Sequence, residues 1–165
     1  MLSNAQFVHV GTALLLWDDG ASYAKTVFFR SLVLTGVGSS FYHWEPSDSS
    51  LVVDRLAMSC AFSSMWCHVH GFWEHPVPPI LIAMVAVVYW KFTRDLRPYI
   101  MLQYGVILSV AATRHWPLVP PYVVAKLCER WDAALYRATG NRISGHTMKH
   151  IIAGMVPLLL PVYDA

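Results

Sequence analysis

Charge is what this sequence has least of. Only 13% of its 165 residues are Asp, Glu, Lys or Arg, about half the share of a soluble domain. With 56% hydrophobic residues and a positive mean hydropathy, such a chain reads as a membrane protein. No run of lysine or arginine is interleaved with aromatics, and the net charge is only +2. Phosphate backbones need clustered positive charge, so nucleic acid is not an expected partner. The three cysteines, Cys60, Cys67 and Cys128, form no C-x-x-C pair and lie in apolar segments; the odd number excludes a disulfide framework and predicts reduced packing residues. No basic residue precedes the apolar run within residues 1–17 and no small-residue cleavage site follows it, which argues against a removable signal peptide. Long linkers, internal repeats and low-complexity tracts are absent too, so one domain over residues 1–165 is expected.

What is present is a series of apolar stretches. A helix that crosses a bilayer needs roughly 20 mainly apolar residues, because lipid tolerates no unpaired backbone. Seven candidates lie near residues 3–17, 24–43, 50–72, 77–93, 97–113, 118–138 and 144–163. The connections "DDGAS", "EPSDS", "EHPVPP", "RDLRP", "RHWPLVPP" and "TGNR" carry the Pro, Gly, Asp and Ser of turns. The expected fold is all-α, an integral membrane bundle of seven helices whose short first member is the end of a longer helix. The sixth stretch holds Lys126, Glu129 and Arg130 at pairing distances i,i+3 and i,i+4; it is read as a span with a polar face turned inward, or else as an interfacial amphipathic helix. Trp17, Trp44, Trp73, Trp90 and Trp116 near the ends are expected to form an aromatic belt.

Within this apolar chain a few polar residues sit at telling intervals. Ser39 and His43 are i and i+4 at the end of the second stretch. His146 and His150 are i and i+4 at the start of the seventh, after the candidate N-cap Ser144, and the spacing puts each pair on one helix face. Asp54 falls near the start of the third stretch, just past candidate N-caps Asp48, Ser49 and Ser50. If every stretch is a crossing, parity brings all five residues to the same membrane face. Three imidazoles with an open fourth position make a catalytic zinc arrangement, and neutral imidazole, favoured at a helix N-terminus, is the form that binds metal. His43, His146 and His150 are the candidate ligands. Asp54 is the candidate proton acceptor and Ser39 a hydrogen-bonding partner of the water or the developing oxyanion. The other histidines, His9, His68, His70, His75 and His115, show no such pairing and are read as interfacial or packing residues.

The pattern of "SSFYH", the aspartate of "VVDRLAMS" and "SGHTMKH" resembles the alkaline ceramidase family, within the CREST group of seven-helix membrane hydrolases. Similarity extends to "SNAQF" near the start and "AKLCERWD" in the sixth stretch, and eleven residues separate His43 from Asp54, as in that family. The chain departs from the family in having Ala57 where proline is common, and carries Arg55 where the family has an acid or arginine. The resemblance implies zinc held by His43, His146 and His150. It makes Ser39 and Asp54 the partners of a water that attacks the amide carbonyl of ceramide, releasing a sphingoid base and a fatty acid.

Two further readings stand beside the zinc amidase: a seven-helix receptor or sensor with a structural zinc, and a transporter with a histidine and acid relay. Lys91, Arg94, Arg97, Arg137, Arg142 and Lys149 fall on the side of the candidate site, against Lys25, Arg30 and Arg114 on the other. Because lysine and arginine mark the inner side, the site is expected near the cytoplasmic face.

Overall fold

The computed structural model of the protein describes residues 2–71 and 75–161. Among them the regular structure is entirely helical: α1 (Ala5–Trp17), α2 (Tyr23–Trp44), α3 (Asp48–His70), α4 (Val77–Thr93), α5 (Arg97–Ala111), α6 (Val119–Arg130), α7 (Asp132–Ala138) and α8 (Gly145–Met155), with short 3-10 turns at Leu2–Asn4, Trp116–Leu118 and Val156–Leu159. The chain is therefore all-α. Trp73 lies outside the described residues.

Local chemistry sets the helix ends. Ser22 accepts from the Lys25 amide to start α2. A reciprocal capping box between Ser47 and Ser50 starts α3, so the cap falls one residue before the expected Asp48, because Ser47 takes the extended conformation that an N-cap requires. Gly71, at φ 63°, closes α3 in the left-handed region that glycine enters without strain. Prolines in the first turns of α4, α5 and α6 sit where a missing N–H costs nothing.

Two of the seven expected spans are interrupted. The sixth breaks at Trp131 into α6 and α7; its next residue, Asp132, accepts from the His146 amide at 2.7 Å and so turns its side chain to the start of another helix. The seventh tightens into a 3-10 turn at Val156–Leu159 around Pro157, which cannot donate to an α-helical ladder.

Six helices close into a ring. Packing runs α1 on α2, α2 on α3, α3 on α5, α5 on α6, α6 on α8 and α8 back on α1, while α4 covers α3 and α5 from outside and α7 leans on α8. The ring surrounds a cavity of about 570 Å³ lined from all six members. Close approach between helices needs missing side chains: a β-carbon on Gly38 of α2 would stand 3.3 Å from the Asp54 Cα, and one on Gly145 would overlap the Cys128 carbonyl oxygen and stand 2.8 Å from the Asp132 Cα.

Alongside an apolar core, the helices bury a set of hydroxyl side chains and expose many large apolar ones. Buried positions include Ser31, Thr35, Ser39, Ser59, Ser63 and Ser64, and Ser31, Thr35, Ser59 and Ser64 return their hydroxyls to carbonyls of the preceding turn. Outside, α4 exposes Leu81, Ile82, Val85 and Phe92, α5 exposes Met101 and Leu108, and α2 exposes Leu34 and Val37. Among the described residues, no helix is long and apolar enough to cross a membrane; α2 and α3 reach 22 and 23 residues but carry Lys25, Arg30, Asp54 and Arg55. Trp17, Trp44 and Trp116 are exposed at helix ends, whereas Trp90 is buried, drawn inward by the guanidinium of Arg55, 3.7 Å over its ring. Cys60, Cys67 and Cys128 are unpaired thiols.

Candidate metal centre

The last turn of α2, the start of α3 and the first turns of α8 meet at one end of the ring. The ring positions follow from helix phase: His146 and His150 share a face of α8, and His43 faces them from α2. His43 Nε2 and His146 Nε2 are 3.1 Å apart. Ring centroids are 5.0 Å apart for His43 and His146, 5.8 Å for His43 and His150, and 4.4 Å for His146 and His150. One nitrogen from each of the three lies within 4.8 Å of the others. Tetrahedral zinc with bonds of about 2.0–2.1 Å sets its ligand atoms roughly 3.4 Å apart, so small ring rotations would bring this donor set onto a single ion.

Asn4 fixes one of the rings. Its side-chain oxygen, fully buried, hydrogen-bonds His150 Nδ1. An amide oxygen only accepts, so Nδ1 carries the proton and the lone pair of Nε2 is left for a metal, the usual arrangement behind a ligating imidazole. The start of α8 is fixed by Ser144, which accepts from the Thr147 amide at 3.0 Å, and by Asp132, which holds the His146 amide.

Asp54 and Ser39 lie on the same cavity wall as the three histidines. Both are buried. The close passage of Gly38 over Asp54 puts them side by side. Asp54 Oδ1 has no hydrogen-bond partner in the protein. A buried carboxylate oxygen left unpaired is costly, and here it belongs to a residue on the wall of the cavity that the three imidazoles also line. Three neutral nitrogen donors with an acid alongside suit zinc as a Lewis acid with one position left open.

Sequence spacing singled out all five of these residues; the structure sets one nitrogen of each of the three histidines within 4.8 Å of the others and places Ser39 and Asp54 on the wall of the same cavity. It also shows residues that spacing missed. Asn4 and Asp132 orient His150 and His146. The expected i,i+3 pair forms between Lys126 and Glu129 at 3.0 Å, and Glu129 also accepts from Lys149 of α8 at 2.7 Å, a contact that spacing did not show; Arg130 is exposed. Asn4 lies within "SNAQF", which the family resemblance covers, but no spacing assigned it a role. At the far end of the ring, His68 Nδ1 meets Ser22 Oγ at 3.0 Å and its ring lies 6.3 Å from His115. No family model, curated protein or solved structure matches the chain.

Proposed function

We propose that the protein is a membrane-embedded, zinc-dependent amidase that cleaves the N-acyl bond of ceramide or a related lipid amide, giving a sphingoid base and a fatty acid. The observation that carries the reading is the convergence of His43, His146 and His150, with the unpaired oxygen of Asp54 belonging to the wall of the same cavity.

Each residue has a task in that chemistry. His43, His146 and His150 would hold the metal, which when bound polarises the amide carbonyl and makes water a nucleophile at neutral pH. Asp54 takes the proton of the attacking water on its free oxygen and returns it to the leaving amine nitrogen. Ser39 keeps the carboxyl in place. Phe28, Met65, Ile107, Val110 and Leu118 line the apolar depth, where an acyl chain would bury its methylenes and exclude bulk water.

Lipid is the medium that suits the outer surface. Several polar groups of α2 and α3, Ser31, Thr35, Ser39, Asp54 and Ser59, are buried, while Leu34, Val37 and Val53 of the same helices are exposed; inside a bilayer such polar groups turn to the protein interior. A seven-span bundle follows if α6 with α7 counts as one span and α8 with its 3-10 turn as another. The site end carries Lys91, Arg94, Arg97, Arg137 and Arg142, which supports a cytoplasmic placement.

The test is to purify the protein in detergent, count zinc per chain, and follow release of sphingoid base from ceramide. The native protein is expected to hold one zinc and to turn over. Asp54→Asn should keep the metal and lose activity by roughly 10²–10⁴-fold, the scale of a general acid–base group; His146→Ala should lose both. A native protein that holds zinc but cleaves no lipid amide would be a receptor or sensor with a structural ion, and one that holds no metal would be neither.

A further inference from the structure

Arg55 has no work in the chemistry above, yet it lines the same cavity as Asp54 and the histidines. Its guanidinium lies 3.7 Å over the ring of Trp90 and 5.7 Å from that of Tyr99, both rings being buried. Stacking on an aromatic occupies the face of the guanidinium and leaves its in-plane N–H groups to bind an acceptor. One of them, Nη1, is buried without any hydrogen-bond partner.

The neighbouring acids do not fill that role. Asp54 is adjacent in sequence, but consecutive residues on a helix do not face each other, and Asp54 Oδ1 and Arg55 Nη1 are both left unpaired. Asp48, two turns earlier, is bonded to Arg94 at 2.6 Å. Glu129 is held by two lysines, and the Tyr99 hydroxyl accepts from Gln103 at 2.7 Å. The cavity wall thus carries three basic side chains, Arg55, Lys126 and Lys149, against two acidic ones, Asp54 and Glu129, and a metal at the histidines would add two more positive charges. A permanently charged, half-buried guanidinium with one N–H group left without an acceptor, on a wall richer in basic than in acidic side chains, is suited to bind an anion.

We propose that Arg55 recognises an acidic group, a carboxylate or a phosphate, on the head of the bound lipid, so that the preferred substrate is an anionic N-acyl lipid. The substrate class rests on the amidase reading; the binding of an acidic amphiphile by Arg55 does not.

Equilibrium titration with non-hydrolysable amphiphiles separates the two. Laurate, dodecylphosphate and dodecanol are titrated into the zinc-loaded and the chelator-stripped protein, native and with Arg55→Met or Arg55→Lys. The native protein is expected to prefer one or both acidic amphiphiles to dodecanol with and without metal, the tighter of the two identifying carboxylate or phosphate. Arg55→Met should reduce that preference roughly ten- to hundredfold, the scale of a charge-assisted hydrogen bond. Arg55→Lys keeps the charge without the two-pronged donor and should fall between, which preserves the test if the Met variant fails to fold. In turnover, N-lauroylglycine should exceed N-lauroylethanolamine in kcat/KM, and the ratio should fall in Arg55→Met through KM. A native protein without preference for the acidic amphiphiles, or a preference unchanged in the Arg55 variants, overturns the assignment. Arg55-dependent binding without cleavage of any amide would instead overturn the amidase reading and leave the anion site standing.

Discussion

At the residue scale, the candidate centre depends on side chains that touch no metal. The hydrogen bond from His150 Nδ1 to Asn4 selects the tautomer and holds the ring; removing such a partner typically costs 10- to 100-fold in metal affinity. Asn4→Ala is therefore expected to weaken zinc binding by about that factor while His43 and His146 remain, and competition with a graded series of chelators measures it. Affinity equal to native would mean that the ring is held by packing alone. The histidines were legible in the sequence because a helix repeats every 3.6 residues, and i,i+4 spacing marks a shared face. Asn4 was not, since its partner is 146 positions away and no periodicity spans that distance. Trp90 was misread for a related reason: its place near a helix end suggests an interface, and only the tertiary approach of Arg55 reveals an interior role.

At the element scale, glycine decides how closely helices meet. Gly145 begins α8 against the α6 carbonyl of Cys128, whereas Gly105 in α5 has nothing within 4 Å of where its β-carbon would be. Opposite outcomes follow for one substitution. Gly145→Ala forces α8 off α6 and should destabilise by about 1–3 kcal/mol, as overpacking does, with loss of bound zinc because the His146 backbone moves. Gly105→Ala removes backbone freedom from the unfolded chain and should stabilise by about 0.5–1 kcal/mol. Thermal unfolding of both variants in one detergent checks the pair, and equal shifts would contradict the packing described. Helix ends were largely readable from Pro, Gly and Ser. The break at Trp131 was not, because it arises from Asp132 bonding to a helix fourteen residues later.

At the scale of the whole molecule, large apolar side chains are exposed along α2, α4 and α5. Nitroxide labels placed at Leu81, Val85 and Leu108, all exposed, should in reconstituted vesicles collide with oxygen more than with a water-soluble nickel complex; a label at Arg142 should show the reverse. Preference for the nickel complex at all four would remove the bilayer from the proposal. Composition made the lipid environment legible as an expectation, and parity made the gathering of the five residues legible. The closing of six helices into a ring was not, because α1 and α8 pack together from the two ends of the fold. That closure has a consequence for biosynthesis. A nascent chain halted before α8 owns one of the three imidazoles and, through Asn4, a hydrogen-bond acceptor with nothing to hold. Binding of an ion by all three imidazoles would therefore require α8 to have been made, so that bound ion would distinguish a chain that includes this helix from one halted before it.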